Sequence, residues 1–138
     1  MKKFNGLMTS LSPHWATPKW LYDELNKEFH FDFDPCPLKS GWDGLAMTWG
    51  KSNFINPPYG RGISVWIDRA YAESCAGKTC VMLLPARTDT KWFHMTILSH
   101  ANEIRFIKGR LKFGESKNSA PFPSCIAIFK PTKLLEEK

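Results

Sequence analysis

Asn56, Pro57, Pro58 and Tyr59 stand in a row, and together they present an unusual set of groups. The Asn56 amide oxygen can accept one N–H. A backbone carbonyl of the Pro-Pro step, that of Pro57, can accept a second. Proline fixes φ and brings no N–H of its own to compete. Two acceptors held this way can draw the lone pair of a conjugated exocyclic amine back onto nitrogen, which makes a poor nucleophile a competent one. The Tyr59 ring offers a flat face for a nucleobase removed from its stack. The same tetrapeptide also reads as an ordinary turn. Its position bears on the choice. Ser52-Asn53-Phe54-Ile55 reads as a short strand, so the motif follows a strand's C-terminal end, where open α/β sheets bind ligands.

Other chemistry is sparser. Cys36, Cys75, Cys80 and Cys125 do not fall at metal-ligand spacing, and no His or Cys cluster accompanies them, so reduced, mostly buried thiols and no metal are expected. His14, His30, His94 and His100 are scattered. Lys and Arg number 19 against 13 Asp and Glu, a net +6, which fits a polyanionic partner. Arg105, Lys108, Arg110, Lys112 and Lys117 crowd one stretch; a solvated face and a phosphate-contacting face are both open readings. The chain of 138 residues fits one domain. Met1–Gly6 carries no apolar leader and no segment is long enough to span a bilayer, so a cytosolic location is expected.

Residues 1–14 read as an irregular arm, 15–131 as one domain and 132–138 as a tail. Thr17-Pro18 predicts a helix start, with Thr17 as N-cap and Pro18 in the first turn. Leu21, Leu25 and Phe29 form its apolar stripe, and the helix should reach about Glu28. Phe29–Asp34 alternates aromatic and polar residues, as a strand does, and Pro35 and Pro37 stop it. Ile63, Trp66, Ile67, Ala70, Tyr71 and Ser74 mark one face of a helix that Gly77 closes. Thr79–Leu84 is a continuous run expected of a strand covered on both faces, ended by Pro85. A helix over Thr90–Ser99 buries Trp92, Phe93, Thr96 and Ile97. Glu103–Ile107 and Ser124–Phe129 complete the strands, with an extra short strand at Arg110–Phe113. The expected architecture is α/β: a mostly parallel sheet with an antiparallel C-terminal pair.

In order along the chain, Thr17-Pro18, Phe33-Asp34-Pro35-Cys36, Asn56-Pro57-Pro58-Tyr59, Leu84-Pro85-Ala86-Arg87, Gly109–Phe113 and Ala120–Ser124 resemble the bacteriophage-type DNA N6-adenine methyltransferases (phage Dam). The resemblance spans about residues 13–130. It implies a compact Rossmann-like fold, S-adenosylmethionine as cofactor, and methyl transfer to the N6 of a flipped adenine in DNA. Asn at the first motif position favours adenine over cytosine. Two departures stand out. The loop after the first strand, Asp34-Pro35-Cys36-Pro37-Leu38, has no Gly until Gly41. About twenty residues separate Asp34 from Asn56, too few for two further βα units, so the sheet should be trimmed.

By that resemblance Asn56, Pro57, Pro58 and Tyr59 hold the target base. Asp34 suits the ammonium of the cofactor's methionine part, with a surface acid as the alternative. Pro35 and Cys36 shape the pocket wall. Asp43 either holds the ribose or adenine of the cofactor or simply makes a turn. Trp15 and Thr17 close over the cofactor. Arg87, Arg110 and Lys112 are candidate contacts to DNA phosphate, and the Ser124 hydroxyl could face the pocket. No membrane partner is expected, and monomer and homodimer are both compatible. Two competing readings stay open: a non-catalytic nucleic-acid-binding module on a decayed fold, and an amino-methyltransferase of RNA or of cytosine N4.

Overall fold

The computed structural model describes residues 16–37, 43–114 and 119–132. Its centre follows from the apolar run Thr79–Pro85, which forms a strand buried from Cys80 onward. Cys80, Met82 and Leu84 face one core, while Val81 and Leu83 face another. That two-sided burial is the reason the run shows no polar alternation. In chain order the elements are α1 (Lys19–Phe29), a 3-10 turn (Gly44–Ala46), β1 (Ser52–Ile55), α2 (Ile63–Cys75), β2 (Thr79–Pro85), a π-helical turn (Phe93–Ile97), α3 (Leu98–His100), β3 (Glu103–Phe106) and β4 (Ser124–Phe129).

The sheet order is β1-β2-β4-β3. β1 runs parallel to β2, with Phe54 opposite Val81. β4 is antiparallel to both β2 and β3. The antiparallel C-terminal pair is as expected and the sheet is trimmed. Parallel pairing holds at the start of the sheet, between β1 and β2, and both remaining pairings are antiparallel. The cause is β4, which enters between β2 and β3 after the long loop and reverses direction there.

The two faces are covered differently. α2 and the π-helical turn cover one core, to which α2 contributes Ile63, Trp66, Ile67 and Ala70. Gly77, at φ 100°, ends α2 as expected. On the other face α1 places Leu21 and Leu25 beside Leu111, Phe113, Ala120 and Phe122 from the β3–β4 loop. Each face therefore has its own apolar cluster, and β2 and β4 feed both.

Four expectations are corrected. Thr17 is not the N-cap of α1: Pro18 takes that place, with no side-chain cap, and its carbonyl accepts from Leu21 and Tyr22 N–H at 3.1 Å. Phe29–Asp34 does not form a full strand. Phe29 is still helical and His30 turns into the left-handed region at φ 51°. What remains is a short extended piece bridged at Phe33–Asn53, parallel to β1. There the Asp32 carboxylate takes the Ser52 N–H at 3.0 Å, in place of a longer ladder. Arg110–Phe113 is loop, not strand, and the Ala120 N–H bonds across to Leu111 O at 2.7 Å. The helix over Thr90–Ser99 is π-helical from Phe93 to Ile97; it buries Phe93, Thr96 and Ile97 as expected, while Trp92 is only half-buried.

Candidate active site

The Phe33 segment, β1 and β2 lie side by side and parallel. Their C-terminal ends therefore share one edge of the sheet. Asp34 follows the first, Asn56 the second and Ala86-Arg87 the third. β4 starts at the same edge, since Ser124 pairs with Pro85 and the Ala86 N–H bonds Pro123 O at 2.9 Å. α1 begins there too, as the Thr17 contact below shows. Its far end lies at the opposite edge, where Ser52 Oγ donates to Phe29 O at 2.8 Å. One edge thus collects nearly every candidate group.

Asn56 is held from two sides. Its Nδ2 donates to Thr17 Oγ1 at 3.0 Å. The Cys36 thiol donates to its backbone carbonyl at 3.1 Å. These bonds span 39 and 20 residues of chain. Cys36 thereby ties the Asp34 loop to the Asn-Pro-Pro-Tyr segment. Burial pushes that thiol's pKa up, and the nearby Asp34 carboxylate raises it further, so it stays protonated and able to donate.

Asp34 is mostly buried, and burial raises its pKa from 3.8 to about 6, against the lowering effect of the Cys36 N–H. That N–H donates to Oδ1 at 2.9 Å. Gly44 packs directly on the next residue. A Cβ there would sit 1.8 Å from the Pro35 carbonyl oxygen, and one on Gly50 would sit 2.3 Å from Asp32 Oδ1. Only glycine permits either approach. The 43–50 segment is itself clamped to α2. The Arg69 guanidinium donates to the Met47 and Leu45 carbonyls, at 2.7 and 2.6 Å, and lies 4.6 Å over the Trp49 ring. Trp49 Nε1 closes the turn on Gly44 O at 2.9 Å. Within that turn the Asp43 carboxylate accepts the Leu45 N–H at 3.0 Å, which is the turn-making role.

Tyr59 lies between the two cores. Its hydroxyl donates to Leu83 O at 3.4 Å, and its ring meets Phe122 edge-on at 5.5 Å. Burial keeps the phenol pKa well above its ordinary value, so the Tyr59 ring stays neutral. Pro57 is buried and Pro58 half-buried. The Ser124 Oγ is buried and makes no hydrogen bond among the described residues.

The cations divide. Arg87 is exposed and places its guanidinium 5.7 Å over the Phe122 ring. Arg110 is exposed, with Nη1 3.4 Å from Ala120 O. The two therefore flank residues 120–122, and Lys112, exposed between buried Leu111 and Phe113, lies in the same loop. Arg105 is different. It forms a bidentate pair with Glu28, both contacts at 2.8 Å, and a further one with Glu103 at 2.7 Å. It belongs to the α1–β3 packing. Trp15 and Lys117 lie outside the described residues. His94 Nε2 meets Thr88 O at 2.7 Å and His100 stacks on Tyr71. Among the described residues no cluster of metal-ligating side chains occurs.

Sequence reading missed Gly44, Gly50, Arg69 and Phe122. The two glycines gave no local signal, because what they admit comes from residues 9 and 18 positions away. Phe122 could have been suspected from its place in Ala120-Pro121-Phe122-Pro123, an apolar residue between prolines.

The fold and site define an α/β domain that gathers its functional groups at the C-terminal edge of a partly parallel sheet. A family model for DNA N-6-adenine-methyltransferase (Dam) matches residues 6–134. The chain belongs to that family. It is also similar to a DNA N-6-adenine-methyltransferase of Haemophilus phage HP1 (strain HP1c1), 31% identical over 137 residues, covering 85% of this chain and 78% of the relative. No solved structure matches it. No helix among the described residues is long and apolar enough to cross a membrane.

Proposed function

We propose that this protein transfers a methyl group from S-adenosylmethionine to the N6 amino group of adenine in DNA, on a trimmed Rossmann-like fold. The observation that carries the reading is the Asn56 amide, tethered by Thr17 at the sheet edge that also holds the half-buried Asp34 carboxylate. S-adenosylmethionine supplies, when bound, an electrophilic methyl group on a sulfonium. The residues fit it: its methionine part carries an ammonium, and Asp34 is a carboxylate that burial alone leaves poorly stabilised. Pro35 and Cys36 form the wall beside Asp34.

The chemistry assigned to the chain is positioning. Asn56 Oδ1 accepts one N6–H and the Pro57 carbonyl the other. Both acceptors face positive charge that develops on N6 as the new N–C bond forms and the sulfonium S–CH₃ bond breaks to leave a neutral thioether, so they bind the transition state better than the ground state. Once methylated the nitrogen is acidic and its proton leaves to water, so no dedicated base is required. Tyr59, backed by Phe122, forms the wall against which a flipped adenine rests. Arg87, Arg110 and Lys112 contact backbone phosphates around the opening.

Asn56→Ala removes one of the two acceptors. We expect N6-methyladenine formation to fall on the order of 10²–10³-fold, with the thermal midpoint close to the parent protein. Mass spectrometry of nucleosides from DNA treated with each protein measures this. Unchanged modified adenine in the variant rejects the assignment, and modified cytosine from the parent protein moves the reaction to N4.

A further inference from the structure

We infer that Thr17 is a positioning residue for Asn56: its hydroxyl tethers the Asn56 amide in place beside the target base. The inference rests on the proposed role of Asn56. An asparagine amide has two ends of similar shape and opposite hydrogen-bonding character. Rotated by half a turn, Asn56 would present an NH₂ donor to the target amine, itself a donor, and the activating contact would become a repulsive one. The amide must therefore be held firmly in place. Thr17 Oγ1 accepts from Nδ2 at 3.0 Å, and this tether fixes the place and plane of the amide, with its oxygen on the side away from Thr17.

Thr17 is unusually available for this task. A threonine just before a helix commonly spends its hydroxyl on the first turn's N–H groups. Here Pro18 is the N-cap and α1 has no side-chain cap. The helix start gives up that bond, and the hydroxyl reaches a residue 39 positions away. Its own backbone is fixed on both sides. The Ala16 carbonyl accepts the Gly114 N–H at 2.8 Å, and the Pro18 carbonyl accepts from Leu21 and Tyr22. Pro18 is buried. The Asn56 backbone is meanwhile tied to Cys36 at 3.1 Å. An acceptor held this firmly orients its partner before substrate arrives, which is where a positioning residue acts on rate.

Thr17→Val keeps the shape and removes the acceptor, and Thr17→Ser keeps the acceptor. For Thr17→Val we expect kcat to fall about 10-fold to 100-fold, with KM for S-adenosylmethionine, affinity for DNA and the thermal midpoint near parental values. Thr17→Ser restores most of kcat. If Thr17→Val melts below the assay temperature, Thr17→Ala, which only removes atoms, carries the same expectation. Unchanged kcat in Thr17→Val overturns the inference. So does a raised KM for the donor at parental kcat, which would place Thr17 in the donor site. Asn56→Ala, measured alongside, separates the two levels. Loss of turnover there with a parental Thr17→Val rejects only this inference, whereas parental turnover in Asn56→Ala rejects the reading beneath it.

Discussion

Replacing Asp34 by Asn should make the unliganded protein more stable while weakening its hold on the methyl donor. The Asp34 carboxyl titrates near pH 6 in the folded chain against 3.8 as its ordinary value. A group with a raised folded pKa binds more protons folded than unfolded between those two values. Its burden on stability is therefore absent below about pH 4 and complete above about pH 6. The difference corresponds to roughly 3 kcal/mol at neutral pH, an upper figure because part of the group meets solvent. Asn keeps an oxygen for the Cys36 N–H, which now bonds Oδ1 at 2.9 Å, and it carries no charge to bury. For a domain of this length that is on the order of 10 °C in Tm. Thermal denaturation followed by circular dichroism, at pH 4 and pH 8 without donor, reads the effect. Asp34→Asn should melt well above the parent at pH 8 and together with it at pH 4. Calorimetry at pH 8 should show donor binding weakened at least 10-fold, because the ammonium loses its counter-charge. The reasoning is refuted if the variant is no more stable at pH 8, or is equally stabilised at both pH values.

Two further outcomes follow from the same edge. Gly44→Ala places a Cβ 1.8 Å from the Pro35 carbonyl oxygen, far inside contact distance; overpacking of this kind costs about 1–3 kcal/mol, and the melt should show it together with weaker donor binding in calorimetry. Arg110→Ala with Lys112→Ala removes two exposed cations of the 109–114 loop; DNA affinity should drop and the slope of log K against log salt should become shallower by about 2, with the thermal midpoint unchanged.

Local chemistry and pattern made much of this molecule legible. The two-sided strand at Thr79–Pro85, the helix face of Ile63 to Ser74 and the strand-end position of Asn56 all follow from spacing and residue type. Thr17 shows where local reasoning stops. Thr-Pro before an amphipathic run is a sound capping signal, yet a partner 39 residues on took the hydroxyl. Phe29–Asp34 alternates like a strand, but the left-handed turn at His30 and the Asp32 side-chain bonds shortened it to a bridge. Gly44, Arg69 and the Cys36–Asn56 bond depend on chain segments that meet only after folding. The missing glycine-rich turn after Asp34 has a physical counterpart in Gly44. There the close approach is between two loops of the chain.

The four thiols differ sharply in what reagents can reach. Cys80 and Cys125 are buried, with pKa values pushed up to about 12, and Cys36 is likewise held as a thiol on the Asn56 carbonyl. Cys75 alone is exposed, at the last position of α2. α2 starts beside the Asn56 edge and runs away from it, so Cys75 lies at the far end of the domain. A maleimide dye added to the folded protein therefore has one natural attachment point, remote from the chemistry. The unaltered sequence already carries the handle needed to follow DNA association by fluorescence anisotropy.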